Sequence, residues 1–125
     1  MDSPLYRRLA ELEWESPNKV RPEMRSFSEK GFAAGARRAR LTTGQMGFHS
    51  TLNEMPAGFE VPAHSHDSAE LFVALSGNCT VADGTHLSAG DVAAIPALKE
   101  YGSSVGEEGL RFVVVRANDA HTTLA

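Results

Sequence analysis

Short apolar segments separated by turn residues dominate the chain from Ala39 onward. Gly, Pro, Asp and Asn interrupt these segments at intervals of about ten residues. A parallel β-α-β unit needs a connection of roughly a dozen residues or more between its strands, so this spacing excludes it. The same spacing is typical of antiparallel sandwiches and barrels. We therefore predict an all-β fold of about seven strands.

Turn signals place the predicted strands along the chain. The strongest is Asp83-Gly84, and a second hairpin turn is predicted at Ser76-Gly77-Asn78. The first strand is long enough to bend at Gly44 or Gly47. The predicted strands cover residues 41–53, a short segment around His64 and His66, and residues 70–75, 79–82, 91–95, 99–105 and 110–116, with residues 105–109 as the last loop.

An N-terminal arm is predicted to precede the barrel. Ser3-Pro4 is followed by apolar residues that indicate a short amphipathic helix, with a serine cap and a proline in its first turn: Leu5, Leu9, Leu12 and Trp14. Residues 17–36 are predicted to form a loop with one short strand near 24–27. The expected division is an arm over residues 1–35, a β-barrel domain over residues 36–118, and a C-terminal tail over residues 119–125 that is expected to fray.

The composition is that of one soluble globular domain. The 125 residues are 42% apolar and 22% charged. Lys and Arg number 12 against 16 Asp and Glu, so the net charge of −4 does not favour a nucleic-acid or anionic-membrane partner. The basic run Arg37-Arg38-Ala39-Arg40 is interpreted as a solvated strand entrance, with contact to a substrate carboxylate at a pocket mouth as the alternative.

Targeting and redox features predict a cytoplasmic location. No segment approaches the ~20 apolar residues of a membrane span. Charges at Arg7, Arg8 and Glu11 leave no apolar region for a signal peptide. Cys79 is the only cysteine, so no intramolecular disulfide can form, and we interpret it as a small buried hydrophobe.

Three metal-competent side chains lie close together in the middle of the chain. His64 and His66 are two residues apart, so on a strand both imidazoles point to the same face. Glu70 follows after a short gap, which allows a turn to bring its carboxylate to the same ion. Two imidazole nitrogens and one carboxylate are the ligands of sites that hold Fe(II), Mn, Ni or Zn with open coordination positions. Polar residues of an exposed turn are the alternative interpretation.

These residues belong to the pattern Gly58-x5-His64-x-His66-x3-Glu70-x6-Gly77. It closely resembles the first sequence motif of the cupin superfamily, at every specified position. The resemblance implies a double-stranded β-helix, the jelly-roll barrel of cupins, which here follows the short N-terminal helical arm. It also implies that His64, His66 and Glu70 bind one divalent transition metal, Fe, Mn, Ni or Zn.

The second cupin motif is matched only in its first half, by Gly90-Asp-Val-Ala-Ala-Ile-Pro96. Leu98 stands where the motif has a glycine, and Tyr101 stands where it has the histidine that is normally the remaining metal ligand. Tyr101 is therefore a candidate fourth ligand, a candidate hydrogen-bonding or acid-base group beside a three-coordinate metal, or a core aromatic. Neighbouring strand residues face opposite sides, so Glu100 and Tyr101 cannot both point into the barrel, and the motif spacing favours Tyr101.

His49 is a further candidate catalytic residue. It lies in the alternation His49, Thr51, Asn53, and if this polar set faces inward its imidazole can act as an acid or base in the cavity. An outward orientation is equally consistent with the sequence. His86 follows a turn and is predicted to be exposed, and His121 lies in the tail. The candidates for pocket walls, or for ordinary core residues, are Met55, Phe59, Phe72 and Phe112.

Taken with the resemblance, these residues imply a metal-dependent enzyme that acts on a small organic molecule in the barrel mouth. A dioxygenase, a lyase and an isomerase or cyclase are all consistent with it. The alternative is a non-catalytic small-ligand-binding or sensing cupin with a degenerate metal site, because the second motif is incomplete. The sequence contains no phosphate-binding glycine loop and no nucleophile elbow, which argues against nucleophilic catalysis.

A homodimer is expected. Cupin domains that resemble this one commonly pair, and the apolar residues of the arm exceed what a short helix can hide against itself. We predict that residues 1–30 pack on the partner or across the barrel edge. The alternative is that the helix covers its own barrel.

Overall fold

A computed structural model of the protein describes residues 3–15, 33–118 and 122–124. The short strand predicted near residues 24–27 and the tail residue His121 lie outside these described residues. Every helix in the described ranges is too short or too polar to span a bilayer.

The described residues form eight strands, labelled β1 to β8 in chain order. They are β1 (Arg37–Thr43), β2 (His49–Met55), β3 (Glu60–His66), β4 (Glu70–Val81), β5 (His86–Ser88), β6 (Val92–Ile95), β7 (Tyr101–Arg116) and β8 (Thr122–Leu124).

β7 is the central strand of one curled sheet. The strand order along one path is β1-β2-β7-β3-β8, and β4 pairs with β5, β6 and β7. The N-terminal half of β7 lies between β3 and β4, and its C-terminal half lies between β2 and β4. All of these pairings are antiparallel. The curled antiparallel sheet confirms the predicted all-β fold class.

Continuous strands replace two of the predicted connections. The hairpin turn predicted at residues 76–78 and the loop predicted at residues 105–109 are wrong, because these segments lie inside β4 and β7. The pairing register of β4 with β7 shifts between Gly77 and Cys79, so the glycines bend paired strands and do not reverse the chain. A Cβ on Gly77 would lie 1.9 Å from the carbonyl oxygen of Gly109. The two strands approach this closely only because Gly77 has no side chain.

The predicted bend in the first strand is a complete reversal. β1 and β2 pair as a hairpin, with His49 opposite Thr43, and a 3-10 turn at Gln45–Gly47 connects them. Gly44 has a φ of 117° and Gly47 a φ of 85°, values that favour glycine. The position of the bend was therefore predictable from these glycines, but the extent of the reversal was not.

The predicted N-terminal helix is present only as one 3-10 turn, Leu9–Glu11. Arg8, directly before it, is extended, with a φ of −113° and a ψ of 133°. Trp14 forms an antiparallel bridge with Ala39 of β1. Pairing with the edge of β1 competes with helix formation here, and an isolated helix this short is marginal in water.

The C-terminal tail contains a strand where fraying was expected. Thr122–Leu124 form β8, which pairs with β3 so that Thr122 lies opposite His66 and Leu124 opposite His64. The expectation of a frayed tail is therefore wrong for residues 122–124, whose backbone pairs with the strand that carries both histidines.

The arginines of the basic run contact carboxylates of the chain itself. Arg37 pairs with Glu54. Arg38 Nη2 and Arg40 Nε lie 2.7 and 2.8 Å from the two carboxylate oxygens of Glu15. These contacts favour a structural role for the run over contact with a substrate.

The apolar core lies between β4 and β7. Its buried members are Ala74, Cys79, Val105 and Leu110, and the partly buried residues packed against them are Met55, Phe59, Phe72, Leu87 and Phe112. The rings of Phe72 and Phe112 have centroids 4.6 Å apart. Cys79 is buried, as predicted, and burial raises the pKa of its thiol.

Apolar side chains are also exposed on β4 and β6. Leu71, Leu75 and Val92 each expose more than two fifths of their surface, at 42%, 46% and 54%. Leu9 of the arm is exposed as well. These side chains are consistent with the predicted homodimer, which stays a prediction.

We expect Gly77→Ala to destabilise the fold by about 3 kcal/mol or more, because the new methyl group would overlap the Gly109 carbonyl. Gly84→Ala is the matched control. Gly84 also has a positive φ, of 93°, but a Cβ there would meet no atom of the described residues within 4 Å. We expect Gly84→Ala to lower the free energy of unfolding by only about 1 kcal/mol. Urea unfolding measures this free energy in both variants. Equal decreases would contradict the close approach of Gly77 to the Gly109 carbonyl.

Candidate metal centre

The predicted site residues of both cupin motifs converge at one end of the barrel. His64 and His66 lie on β3, Glu70 begins β4, and Tyr101 begins β7. Both histidines and Glu70 are buried. The β3–β7 register places Tyr101 opposite His64, which is why a residue so distant in sequence joins the cluster. The structure thus brings together the side chains that the sequence singled out.

Tyr101 connects Glu70 to the histidines. Its hydroxyl donates a short hydrogen bond to Glu70 Oε1 and lies 3.2 Å from His66 Nε2. The His66 Nε2 to Glu70 Oε1 distance is 3.9 Å. The ring of His64 has its centroid 4.9 Å from that of His66 and 4.5 Å from that of Tyr101. All four side chains are therefore within one small cluster.

Hydrogen bonds orient both imidazoles. His64 Nδ1 is 2.8 Å from the Pro62 carbonyl oxygen, which can only accept, so Nδ1 donates and Nε2 is the nitrogen that can bind a metal. His66 Nδ1 is 2.9 Å from the hydroxyl oxygen of Thr122 on β8. Outer hydrogen bonds of this kind are typical of histidines that bind metals, since they fix the ring and the tautomer.

Arg116, the last residue of β7, is part of the cluster and was missed by sequence reasoning. Its Nη2 atom lies 2.7 Å from Glu70 Oε2 and 3.4 Å from His66 Nε2. A guanidinium has only donors, so His66 Nε2 accepts in this contact. The available signal was alternation, because Arg116 is in phase with the core residues Phe112 and Val114 along the strand.

His49 lies in the same row of strand positions as Arg116 and Glu70. Arg116 pairs with His49 of β2 on one side and with Glu70 of β4 on the other. Directly opposite residues of paired strands share a face, so His49, Thr51 and Asn53 face the barrel interior. Thr51 and Asn53 are buried, and Asn53 Nδ2 donates to Thr51 Oγ1 at 2.9 Å. The orientation that the sequence left open is therefore the inward one.

The remaining candidates do not join this cluster. Glu100 is exposed, whereas its neighbour Tyr101 lies in the cluster, and His86 is exposed as predicted. The four candidate wall residues pack against the buried core. Leu98, at the glycine position of the second motif, has a positive φ of 67°, and its N–H donates to the His66 carbonyl oxygen at 2.7 Å. A positive φ is unusual for a residue other than glycine.

Burial sets the protonation states of the site. Desolvation, with a contribution from the Arg116 charge, lowers the pKa of His66 to about 4. Desolvation and the Glu70 carboxylate raise the pKa of Tyr101 above its usual value. At neutral pH His66 is therefore an uncharged imidazole and Tyr101 an intact phenol. These states suit a ligand and a hydrogen-bond donor, respectively.

The imidazoles of His64 and His66 and the carboxylate of Glu70 are ligand types that fit a divalent metal. Both oxygens of Glu70, however, already accept hydrogen bonds. Glu70 Oε1 accepts from Tyr101, and Oε2 accepts from Arg116. In the part of the chain that the structure describes, no group of three or more His, Cys, Asp or Glu side chains is arranged to hold an ion. A metal that binds Glu70 would therefore either displace Arg116 or share the carboxylate with it.

Comparison with known proteins supports the fold. Residues 51–116, more than half of the chain, match the family described as Cupin domain. A solved RmlC-like cupin from Shewanella frigidimarina matches with a TM-score of 0.68 and 18% identity, over 91% of this chain and 90% of that chain. No curated protein matches the sequence.

Two larger proteins contain a similar barrel. A variant of Bacillus subtilis oxalate decarboxylase, a protein with Mn(II) centres, matches with a TM-score of 0.58 and 20% identity. The match covers 66% of this chain and 25% of that chain. A chain from the complex of Rhodobacter sphaeroides SigE with the anti-sigma ChrR matches with a TM-score of 0.63 and 22% identity, over 88% of this chain and 52% of that chain. At these identities the likeness shows the fold alone.

We expect the buried neutral state of His66 to make the metal-free protein less stable in acid. Its pKa is about 4 in the folded chain against 6.5 as the ordinary value, so between these pH values the unfolded chain binds more protons. Stability therefore falls as the pH drops from about 6.5 towards 4, by about 3 kcal/mol from this group.

Urea unfolding at pH 7 and pH 4.5, in the presence of a chelator, measures this loss. The stability of His66→Gln should fall less than that of wild type between these pH values, because glutamine does not titrate. His86→Gln, which changes an exposed histidine, should lose as much stability as wild type. An equal loss of stability in wild type and His66→Gln would show that His66 is not its source.

Proposed function

The chain belongs to the cupin family, and from that premise we propose that it is a small metal-dependent enzyme acting on a small organic molecule in the barrel mouth. One observation carries the proposal. Two buried imidazoles, fixed by outer hydrogen bonds, meet a buried carboxylate and a protonated phenol at one end of the barrel. A polar cluster in the interior of a small domain is costly to bury unless its groups are paired or hold an ion.

In this proposal His64, His66 and Glu70 hold one divalent transition metal. The bound ion supplies Lewis-acid polarisation of a carbonyl or carboxylate, or activation of O₂ if it is iron. His64 and His66 would bind through Nε2, with the Pro62 carbonyl and the Thr122 hydroxyl holding the rings in place. The Mn(II) centres of oxalate decarboxylase, which has the same fold, make manganese one candidate.

Tyr101 and His49 are the proposed proton-handling groups. The raised pKa of Tyr101 keeps its phenol protonated, so it can donate a hydrogen bond to a reacting group, which favours this role over direct ligation. His49 lies in the same inward-facing row of strand positions as Arg116 and Glu70. An imidazole at this position can accept or return a proton. Such groups are compatible with dioxygenase, lyase and isomerase or cyclase chemistry.

We expect protein purified without a His-tag, from cells supplied with Fe, Mn, Ni and Zn, to contain close to one metal ion per chain. His64→Ala and His66→Ala should each weaken binding by about 100-fold or more, because loss of a mere outer-shell partner already costs 10–100-fold. Glu70→Gln should weaken binding without unfolding the barrel, because the amide keeps the shape and removes the charge.

Elemental analysis and metal titration measure these effects, and circular dichroism checks the fold. His86→Ala is the control, since it removes an exposed histidine and should leave the metal content unchanged. Metal binding by His64→Ala/His66→Ala at the level of the parent would show that these residues are not ligands.

The second candidate function is a non-catalytic cupin that binds a small ligand as a sensor. Two observations favour it: the degenerate second motif and the engagement of Glu70 by Arg116. The similar barrel in the complex of SigE with the anti-sigma ChrR occurs in a regulatory setting. Once a ligand is identified, Tyr101→Phe separates the two functions. Lost turnover with unchanged metal content supports the enzyme, whereas unchanged ligand affinity with no turnover in either protein supports the sensor.

A further inference from the structure

Arg116 places a permanent positive charge among the candidate metal ligands. Its Nη2 atom contacts both Glu70 and His66, and its side chain is only 18% exposed, against 1% for Glu70. A guanidinium does not lose its proton in proteins, so this charge cannot be removed by titration. Any divalent ion that binds Glu70 must therefore displace Arg116 or remain beside it.

The charge balance of the cluster changes when a metal binds. Without a metal, Glu70 and Arg116 neutralise each other. Asp67, next to His66 in the chain, is exposed, so water screens its charge. A divalent ion bound to Glu70 would leave two uncompensated positive charges in a site shielded from water, where like charges repel strongly.

Arg116 also has unused hydrogen-bonding capacity. Its Nε atom is buried and has no hydrogen-bond partner among the described residues. A guanidinium presents its N–H groups in a planar fork that matches the two oxygens of a carboxylate. An anion of this kind would pair with Arg116 after its release from Glu70, and would restore part of the lost negative charge.

We propose that Arg116 couples metal binding to the binding of a small carboxylate: the metal takes Glu70, and the carboxylate takes Arg116. This inference rests on the proposed function and names the class of its substrate or ligand. Coupling of this type is reciprocal, so a carboxylate must raise the affinity for the metal by the same factor as the metal raises the affinity for the carboxylate.

Titration of the full chain with Mn(II), followed by the signal of the free ion, tests the coupling. We expect 50 mM acetate, against chloride at equal ionic strength, to tighten Mn(II) binding by about tenfold, within the range usual for coupled sites. Arg116→Gln should bind Mn(II) more tightly than wild type in chloride, because the competing cation is gone. The same variant should show no response to acetate.

Arg111→Gln is the matched control. Arg111 lies on the same strand and pairs with Glu54, so the variant removes an equal charge from a different glutamate. It should respond to acetate as wild type does. Acetate responses of equal size in wild type and Arg116→Gln would overturn the inference and leave the proposed metal site intact.

Arg116→Lys covers the case in which Arg116→Gln does not fold, since lysine keeps the charge beside Glu70 but lacks the planar fork. In chloride it should bind Mn(II) about as weakly as wild type, and its acetate response should be reduced by several-fold. A full acetate response in Arg116→Lys would overturn the role of the fork. Failure of wild type and all the variants to bind Mn(II), Fe(II), Ni(II) or Zn(II) would overturn both the inference and the proposed function.

Discussion

The pairing of β4 with β7 is the constraint on which the rest of the structure depends. Its register places Ala74 opposite Phe112 and Phe72 opposite Val114, so the residues of the core meet on one face. The same register places Glu70 opposite Arg116 at the end of the ladder. Core packing and site chemistry are therefore set by one alignment of two strands, and a slip of one residue would turn both sets of side chains to the opposite face.

Glycine permits this alignment at the point where the strands bend. Gly77 closes the first cupin motif in sequence, and in space its Cα faces the Gly109 carbonyl at a distance that no side chain tolerates. The motif thus contains residues with two different physical tasks. His64, His66 and Glu70 are the proposed metal ligands, while Gly77 allows the close approach of β4 and β7 beyond the site.

The site is electrically balanced by residues of the chain itself. In the family pattern the second motif contributes a histidine, whereas this chain has Tyr101 there, and the phenol donates to the carboxylate that it lies beside. Arg116 supplies the positive charge that Glu70 needs when buried. Because Tyr101 and Arg116 pair with the buried carboxylate of Glu70, the metal-free barrel is more stable than it would be with an unpaired carboxylate. Stability without a metal is compatible with reversible metal binding and with a sensor.

The sequence by itself determined the fold class and the face of β3 on which both histidines lie, and it singled out the candidate ligands, because alternation and motif spacing are properties of a few neighbouring residues. Tertiary structure alone decided that Arg116 pairs with Glu70, 46 residues away, and that β8 brings Thr122 to His66. It also decided that Ser76-Gly77-Asn78 bends a strand and that Arg7 and Trp14 of the arm contact β1. These outcomes depend on which strands pair and in what register. Strand pairing and register depend on the packing of the whole barrel, so they cannot be predicted from any short segment of the chain.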